Sequence, residues 1–196
     1  KTDRNGQTFY WEYDKKGRCI HTRGDDGILE GWIAYHPREG YNLVTNSLGQ
    51  TTTYYYTPDH VVTRIKDPLG HSRYFEYTDD FELYRTIDEE ANVTGYTYDE
   101  RGNRTGIIQP DGSTSTFSYD AEDRLVLTTD PDGNSRTHIY YRKDKHTGLL
   151  HTITEANGSI TIFRYNAQNL LSRIEDEAGK QTVLEYDDDL NLSAMR

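Results

Sequence analysis

This 196-residue chain has one cysteine, one methionine and five prolines, and it has no long apolar run and no basic cluster. Each shortage excludes something. With Cys19 as the sole cysteine, no internal disulfide can form and no thiolate metal cluster can assemble. No apolar stretch approaches the roughly 20 residues of a membrane helix, and the N-terminus carries no secretory signal. The net charge is −11 and the pI about 5.0, so nucleic acid and anionic membranes would be repelled. Acidity of this kind reads first as solubility for an exposed surface, and second as a face matched to a basic partner. Hydrophobic residues make up 33%, low for a globular domain, yet 17 tyrosines add apolar area that this figure undervalues. An ordered chain is expected.

What the chain does have is a period. A glycine is followed seven residues later by a tyrosine at Gly6 and Tyr13, Gly49 and Tyr56, Gly70 and Tyr77, Gly112 and Tyr119, Gly133 and Tyr140, Gly158 and Tyr165, and Gly179 and Tyr186. Gly27 is followed by Tyr35, one residue late, and Ala91 stands at the glycine position ahead of Tyr98. Successive anchors lie 21 residues apart, stretched to 22 after Gly27 and to 25 after Gly133. A period held over nine units from end to end marks a single array across residues 1–196. The chain opens on Lys1 and stops in mid-repeat at Arg196, so both ends read as cut from something longer.

Within a unit, the stretch from glycine to tyrosine alternates as a strand does. Two residues before the tyrosine stands a large side chain: Trp11, Tyr54, Phe75, Tyr96, Phe117, Phe163 or Leu184, with His138 once. The tyrosine and this partner share one face, while Thr, Ser, Glu and Arg fill much of the other. A polar turn follows, as in Tyr13-Asp14-Lys15-Lys16-Gly17-Arg18. Four residues after the tyrosine, a Gly, Asn or Asp tolerates positive φ. An apolar residue returns six past the tyrosine (Cys19, Val62, Leu83, Leu125, Leu171, Leu192) and another nine past it (Ile65, Ile107, Ile174, Met195). Six and nine differ by an odd number, so either a bulge intervenes or the second strand is buried on both sides. Turns such as Asp67-Pro68-Leu69-Gly70 and Asp130-Pro131-Asp132-Gly133 close the unit. The expected fold is all-β: tandem antiparallel hairpins stacked into a twisted, curving strip that a longer run could wind into a hollow shell.

These tyrosine-aspartate turns, closed by Asp-Pro-x-Gly, resemble the YD repeat of rearrangement-hotspot (Rhs) proteins, with related repeats in teneurins and in insecticidal toxin complexes. The resemblance covers essentially the whole chain. It implies a non-catalytic segment of a β-cocoon around a C-terminal toxin or effector domain of the same polypeptide, secreted or at the cell surface. In many bacterial members a type VI secretion apparatus carries it, so secretion-apparatus proteins become candidate partners. Asp67 to Gly70 runs on into His71-Ser72, and Asp130 to Gly133 into Asn134-Ser135. Neither continues like the family's self-cleavage site, and both read as repeat turns.

No enzyme signature is present: no nucleophile elbow, P-loop, dinucleotide fingerprint or HExxH spacing among the seven histidines. No catalytic, cofactor or metal residue is therefore assigned. The acidic runs Asp79-Asp80, Glu89-Glu90 and Asp187-Asp188-Asp189 read as solvated turns. The residues with binding potential are the aromatic set: Trp11, Tyr13, Tyr56, Phe75, Tyr77, Tyr98, Phe117, Tyr119, Tyr140, Phe163, Tyr165 and Tyr186. They brace an inner wall or, in the alternative, hold carbohydrate in an extracellular adhesion module. The longest unit carries its excess between Arg142 and Gly148, read as an extended loop and a place for a partner. Open sheet edges would let copies of the chain self-associate.

Overall fold

A computed structural model of the chain describes residues 1–3, 6–143 and 145–196. The fold is all-β, an open sheet of eighteen strands with consecutive strands antiparallel, plus one 3-10 turn at Asp25–Gly27. The backbone divides into two compact units, Lys1–Gly95 and Tyr96–Arg196. The first contains β1 (Phe9–Tyr13), β2 (Cys19–Gly24), β3 (Gly31–His36), β4 (Tyr41–Asn46), β5 (Thr51–Tyr56), β6 (Val62–Lys66), β7 (Ser72–Tyr77), β8 (Leu83–Ile87) and the start of β9 (Val93–Tyr98). The second contains the end of β9, then β10 (Arg104–Ile108), β11 (Thr114–Tyr119), β12 (Leu125–Thr129), β13 (Ser135–Tyr140), β14 (Leu150–Thr154), β15 (Ile160–Tyr165), β16 (Leu171–Asp176), β17 (Gln181–Tyr186) and β18 (Leu192–Met195). Odd-numbered strands end on the repeat tyrosine, except β3, which runs one residue past Tyr35.

One turn geometry serves both kinds of connection. After Tyr119, the Asp120 amide donates to the Arg124 carbonyl at 3.0 Å and the Asp123 amide to the Asp120 carbonyl at 3.2 Å. The Asp120 side chain accepts the amides of Glu122 and Arg124, both at 3.0 Å. The Asp130-Pro131-Asp132-Gly133 turn repeats this: the Asp130 carboxylate accepts the amides of Asp132 at 3.0 Å and Asn134 at 2.8 Å. Aspartate stands first because its short carboxylate reaches two amides ahead of it, and proline fits next because no amide is needed there. The fourth residue is left-handed, at φ 84 for Gly133 and 59 for Asp123. Four side chains with no such preference occupy the same position: His60, Phe81, Ala91 and Leu190, at φ 62 to 66.

The register settles the choice between a bulge and two buried faces in favour of the bulge. Tyr119 pairs with Leu125, but Ser118 pairs with Leu127, leaving Val126 as the extra residue. Phe117 then faces Thr128, nine past the tyrosine, on the tyrosine's own side. The same shift places Val62 and Ile65 opposite Tyr56 and Tyr54, Leu171 and Ile174 opposite Tyr165 and Phe163, and Leu192 and Met195 opposite Tyr186 and Leu184. An inserted residue restores parity, so both apolar positions land on one face. The hairpin of β3 and β4, whose tyrosine comes one residue late, runs without a shift, with Tyr35 opposite Asn42.

Contacts within each unit run between consecutive strands. Among the described residues, no hydrophobic side chain is buried; the aromatic face is half-covered by its neighbours. Cross-strand pairs, at roughly 0.2–1 kcal/mol each, therefore carry the stability that a core supplies elsewhere.

Candidate functional site

The tyrosine face is built from clasps. The bulge strands the carbonyl of the residue paired with the tyrosine, six past it or, in the longest unit, ten, and the tyrosine of the next unit donates its hydroxyl to it. Tyr35 bonds the Cys19 carbonyl at 2.8 Å, Tyr119 that of Arg104 at 3.0 Å, and Tyr140 that of Leu125 at 2.9 Å. Tyr165 bonds the Leu150 carbonyl at 3.0 Å, and Tyr186 that of Leu171 at 2.8 Å. Tyr56 follows the β3–β4 hairpin, which has no bulge, and donates instead to the Asn42 side chain, at 3.3 Å.

A turn arginine completes two of these clasps, at Tyr35 and Tyr140. Asp120 holds Arg124 through Nε at 2.8 Å and a terminal nitrogen at 2.6 Å, and the guanidinium lies 5.0 Å from the Tyr140 ring centre. Asp14 and Arg18 do the same beneath Tyr35, at 4.4 Å. Arg104 sits between Tyr96 and Phe117 at 5.8 and 5.6 Å. Burial raises the phenol pKa of Tyr140 and Tyr165, as expected for hydroxyls that serve as donors.

The repeat tyrosines face aliphatic partners across the hairpin: Val62 for Tyr56, Leu83 for Tyr77, Leu125 for Tyr119, Leu150 for Tyr140. Phe75, Phe117 and Phe163 are half-buried beside them, as is Tyr98, while Tyr13 and Trp11 are exposed. In the first unit Ile33, Tyr35, Tyr54, Tyr56 and Val62 line a concavity of about 520 Å³ on this face.

The opposite face differs between the units. In the second it carries Thr, Ser, Glu and Arg, as expected, together with isoleucines such as Ile139 and Ile162. In the first, one row of direct cross-strand partners runs His36, Tyr41, Tyr55, Arg64, Tyr74 and Ile87. His36 stacks on Tyr41 at 4.5 Å, and the Arg64 guanidinium lies between Tyr55 at 4.1 Å and Tyr74 at 5.9 Å. Periodicity missed this row, because it breaks the repeat pattern; the adjacent Tyr54-Tyr55-Tyr56 was the only signal.

The segment from Arg142 to Gly148 folds back on its own unit rather than standing out; its Asp144 lies outside the described residues. The Tyr141 amide donates to the Leu149 carbonyl at 2.9 Å, and His146 bonds the Asn169 side chain at 2.7 Å. His146 also packs against Tyr141 and Tyr165. The runs Asp79-Asp80, Glu89-Glu90 and Asp187-Asp188-Asp189 lie in turns, as expected, and their side chains are exposed. Asp67, His71 and Glu89 meet in the first unit, His71 Nδ1 lying 3.1 Å from Asp67 and 3.8 Å from Glu89. All three groups are reached by water, and His71 and Asp67 hydrogen-bond one another within their turn.

The class is thus an all-β repeat protein whose hairpins are joined tyrosine to bulge. The family model of the RHS repeat matches residues 85–114 and 106–135, two windows offset by one period, so this stretch of the chain consists of RHS, or YD, repeats. A search of curated proteins returns no match. Among solved structures the chain is similar to TcdB2-TccC3-TEV, with a TM-score of 0.56 and 14% identity over 97% of this chain and 14% of that one. The Photorhabdus luminescens Tc holotoxin pore with a mutated TccC3 gives 0.58 and 14% over the same shares. TcdB2-TccC3 gives 0.57 and 14%, over 98% of this chain and 15% of that one. At this identity the likeness is one of fold, and the chain spans about a seventh of the length of these proteins.

Proposed function

We propose that the chain is a structural segment of an RHS-type toxin, forming part of a shell wall that encloses a C-terminal effector of the same polypeptide. The carrying observation is the clasp: tyrosine hydroxyls bonded to bulge carbonyls, joined at Tyr35 and Tyr140 by a turn arginine, tie one hairpin to the next, which supports a continuous wall built from units that are individually marginal. Chemistry is assigned to the effector, and this segment excludes and holds. Export from the producing cell, by a type VI apparatus or another route, belongs to the same reading, as does an acidic, well-solvated outer surface.

The test uses the full-length parent, purified natively. With the wall intact, the C-terminal polypeptide is expected to co-purify and resist protease. With Tyr119, Tyr140, Tyr165 and Tyr186 all changed to Phe in a chain that keeps its far-ultraviolet spectrum, that protection is expected to fall. Equal digestion of both forms would sink the shell reading. Saturable binding in a glycan screen, lost in the same variant, would move the chain to the carbohydrate-binding class.

A further inference from the structure

The face of the first unit opposite its repeat tyrosines carries a groove of about 890 Å³, within the range of small-molecule sites. Its walls are Tyr55, Tyr74, Phe81, Tyr84 and Ile87, with the Arg64 guanidinium set into one side. Three observations separate this place from the repeating wall.

The first is charge. Arg64 is sandwiched between Tyr55 and Tyr74, its Nε is buried with no acceptor, and among the described residues no carboxylate pairs with it. The acid that also lines the groove, Glu76, is taken up by Arg85 at 2.7 Å and the Tyr84 hydroxyl at 2.7 Å, so the cation of Arg64 stays uncompensated. The second is apolarity, with five aromatic or aliphatic walls on a face that is otherwise polar in the repeat. The third is exposure at a strained position. Phe81 takes the left-handed turn position at φ 64, as Leu190 does in its own turn, and is 58% exposed. That backbone costs a bulky side chain roughly 1–2 kcal/mol, and here the side chain lines the groove.

We propose that this groove binds an amphipathic organic anion: an apolar body lying against Phe81, Tyr74 and Tyr84, and one carboxylate- or sulfonate-like head on the Arg64 guanidinium. A planar guanidinium already held by two rings loses little freedom on meeting such a head.

The probes are 1-anilinonaphthalene-8-sulfonate and its uncharged parent, N-phenyl-1-naphthylamine, followed by fluorescence titration of the 196-residue chain. Expected is one saturable site per chain that prefers the sulfonate by at least about tenfold, the worth of a charged hydrogen bond. Arg64→Gln is expected to remove the preference and leave the neutral probe unchanged. Phe81→Gly relieves the turn and folds at least as well, and it is expected to weaken both probes together. Unsaturable binding, equal affinity for the two probes, or a preference that survives Arg64→Gln in a folded chain would each overturn the proposal. Unchanged binding in Phe81→Gly would do so as well.

Discussion

A hydroxyl that caps a stranded carbonyl and one that meets a side-chain amide contribute differently, and two tyrosines of this chain separate the cases. Tyr140→Phe leaves the Leu125 carbonyl without its donor and is expected to cost about 1–2 kcal/mol in urea unfolding. Tyr56→Phe frees an Asn42 amide that water can serve, and is expected to cost under about 0.5 kcal/mol. Equal losses would show that the bulge carbonyl is not the reason for the hydroxyl. Leu190 holds the left-handed position at φ 62, so Leu190→Gly is expected to add about 0.5–1 kcal/mol, after the entropy that glycine gives the unfolded chain. His21 bonds Glu30 at 2.9 Å and Glu12 at 3.2 Å, and these hydrogen bonds raise its pKa above the ordinary histidine value. Its contribution is therefore complete below the unfolded pKa and fades as pH rises through the folded one. An NMR titration is expected to find His21 titrating later than His in peptides, and a midpoint at or below the peptide value would contradict the ion-paired geometry.

At the scale of elements, the turns make the array sensitive to acid. Hydrogen bonds lower the carboxyl pKa of Asp120 (first from the Arg124 side chain), of Asp130 and Asp88 (first from Asn134 and Asn92), and of Asp99 (first from the Asn103 amide). Each contributes stability above the unfolded carboxyl pKa and loses it as pH falls through the lowered folded value. Several turns then fail together below about pH 4, the ordinary aspartate range. Asp120→Asn keeps the amide acceptor, as Asn166 does in its own turn, but releases Arg124. It is expected to reduce the acid-induced loss while lowering stability at neutral pH, both read from urea midpoints. The strands and turns were legible because each leaves a local mark: glycine before, tyrosine at the end, aspartate next, proline after aspartate. The bulge was legible only as a parity conflict between Leu171 and Ile174, since choosing its position requires the partner strand.

For the whole molecule, contacts between consecutive strands mean that hairpins are expected to add stability one at a time. Removing 181–196 is expected to lower the urea m-value in proportion to the length lost and leave the rest folded; wholesale unfolding would contradict that additivity. The site was less legible than the fold. The repeat tyrosines announced themselves by spacing, and the structure gives their hydroxyls a task that spacing could not show. The Arg64 row could not be read at all, because its members come from six strands and meet only once every register is set. The absence of a buried hydrophobic side chain among the described residues has a thermal consequence. Heat capacity rises on unfolding as apolar surface meets water, and here much of that surface meets water already. Per residue, the increment is expected to fall below the roughly 12–15 cal/mol/K of ordinary domains, which flattens the dependence of stability on temperature and pushes cold denaturation far below freezing.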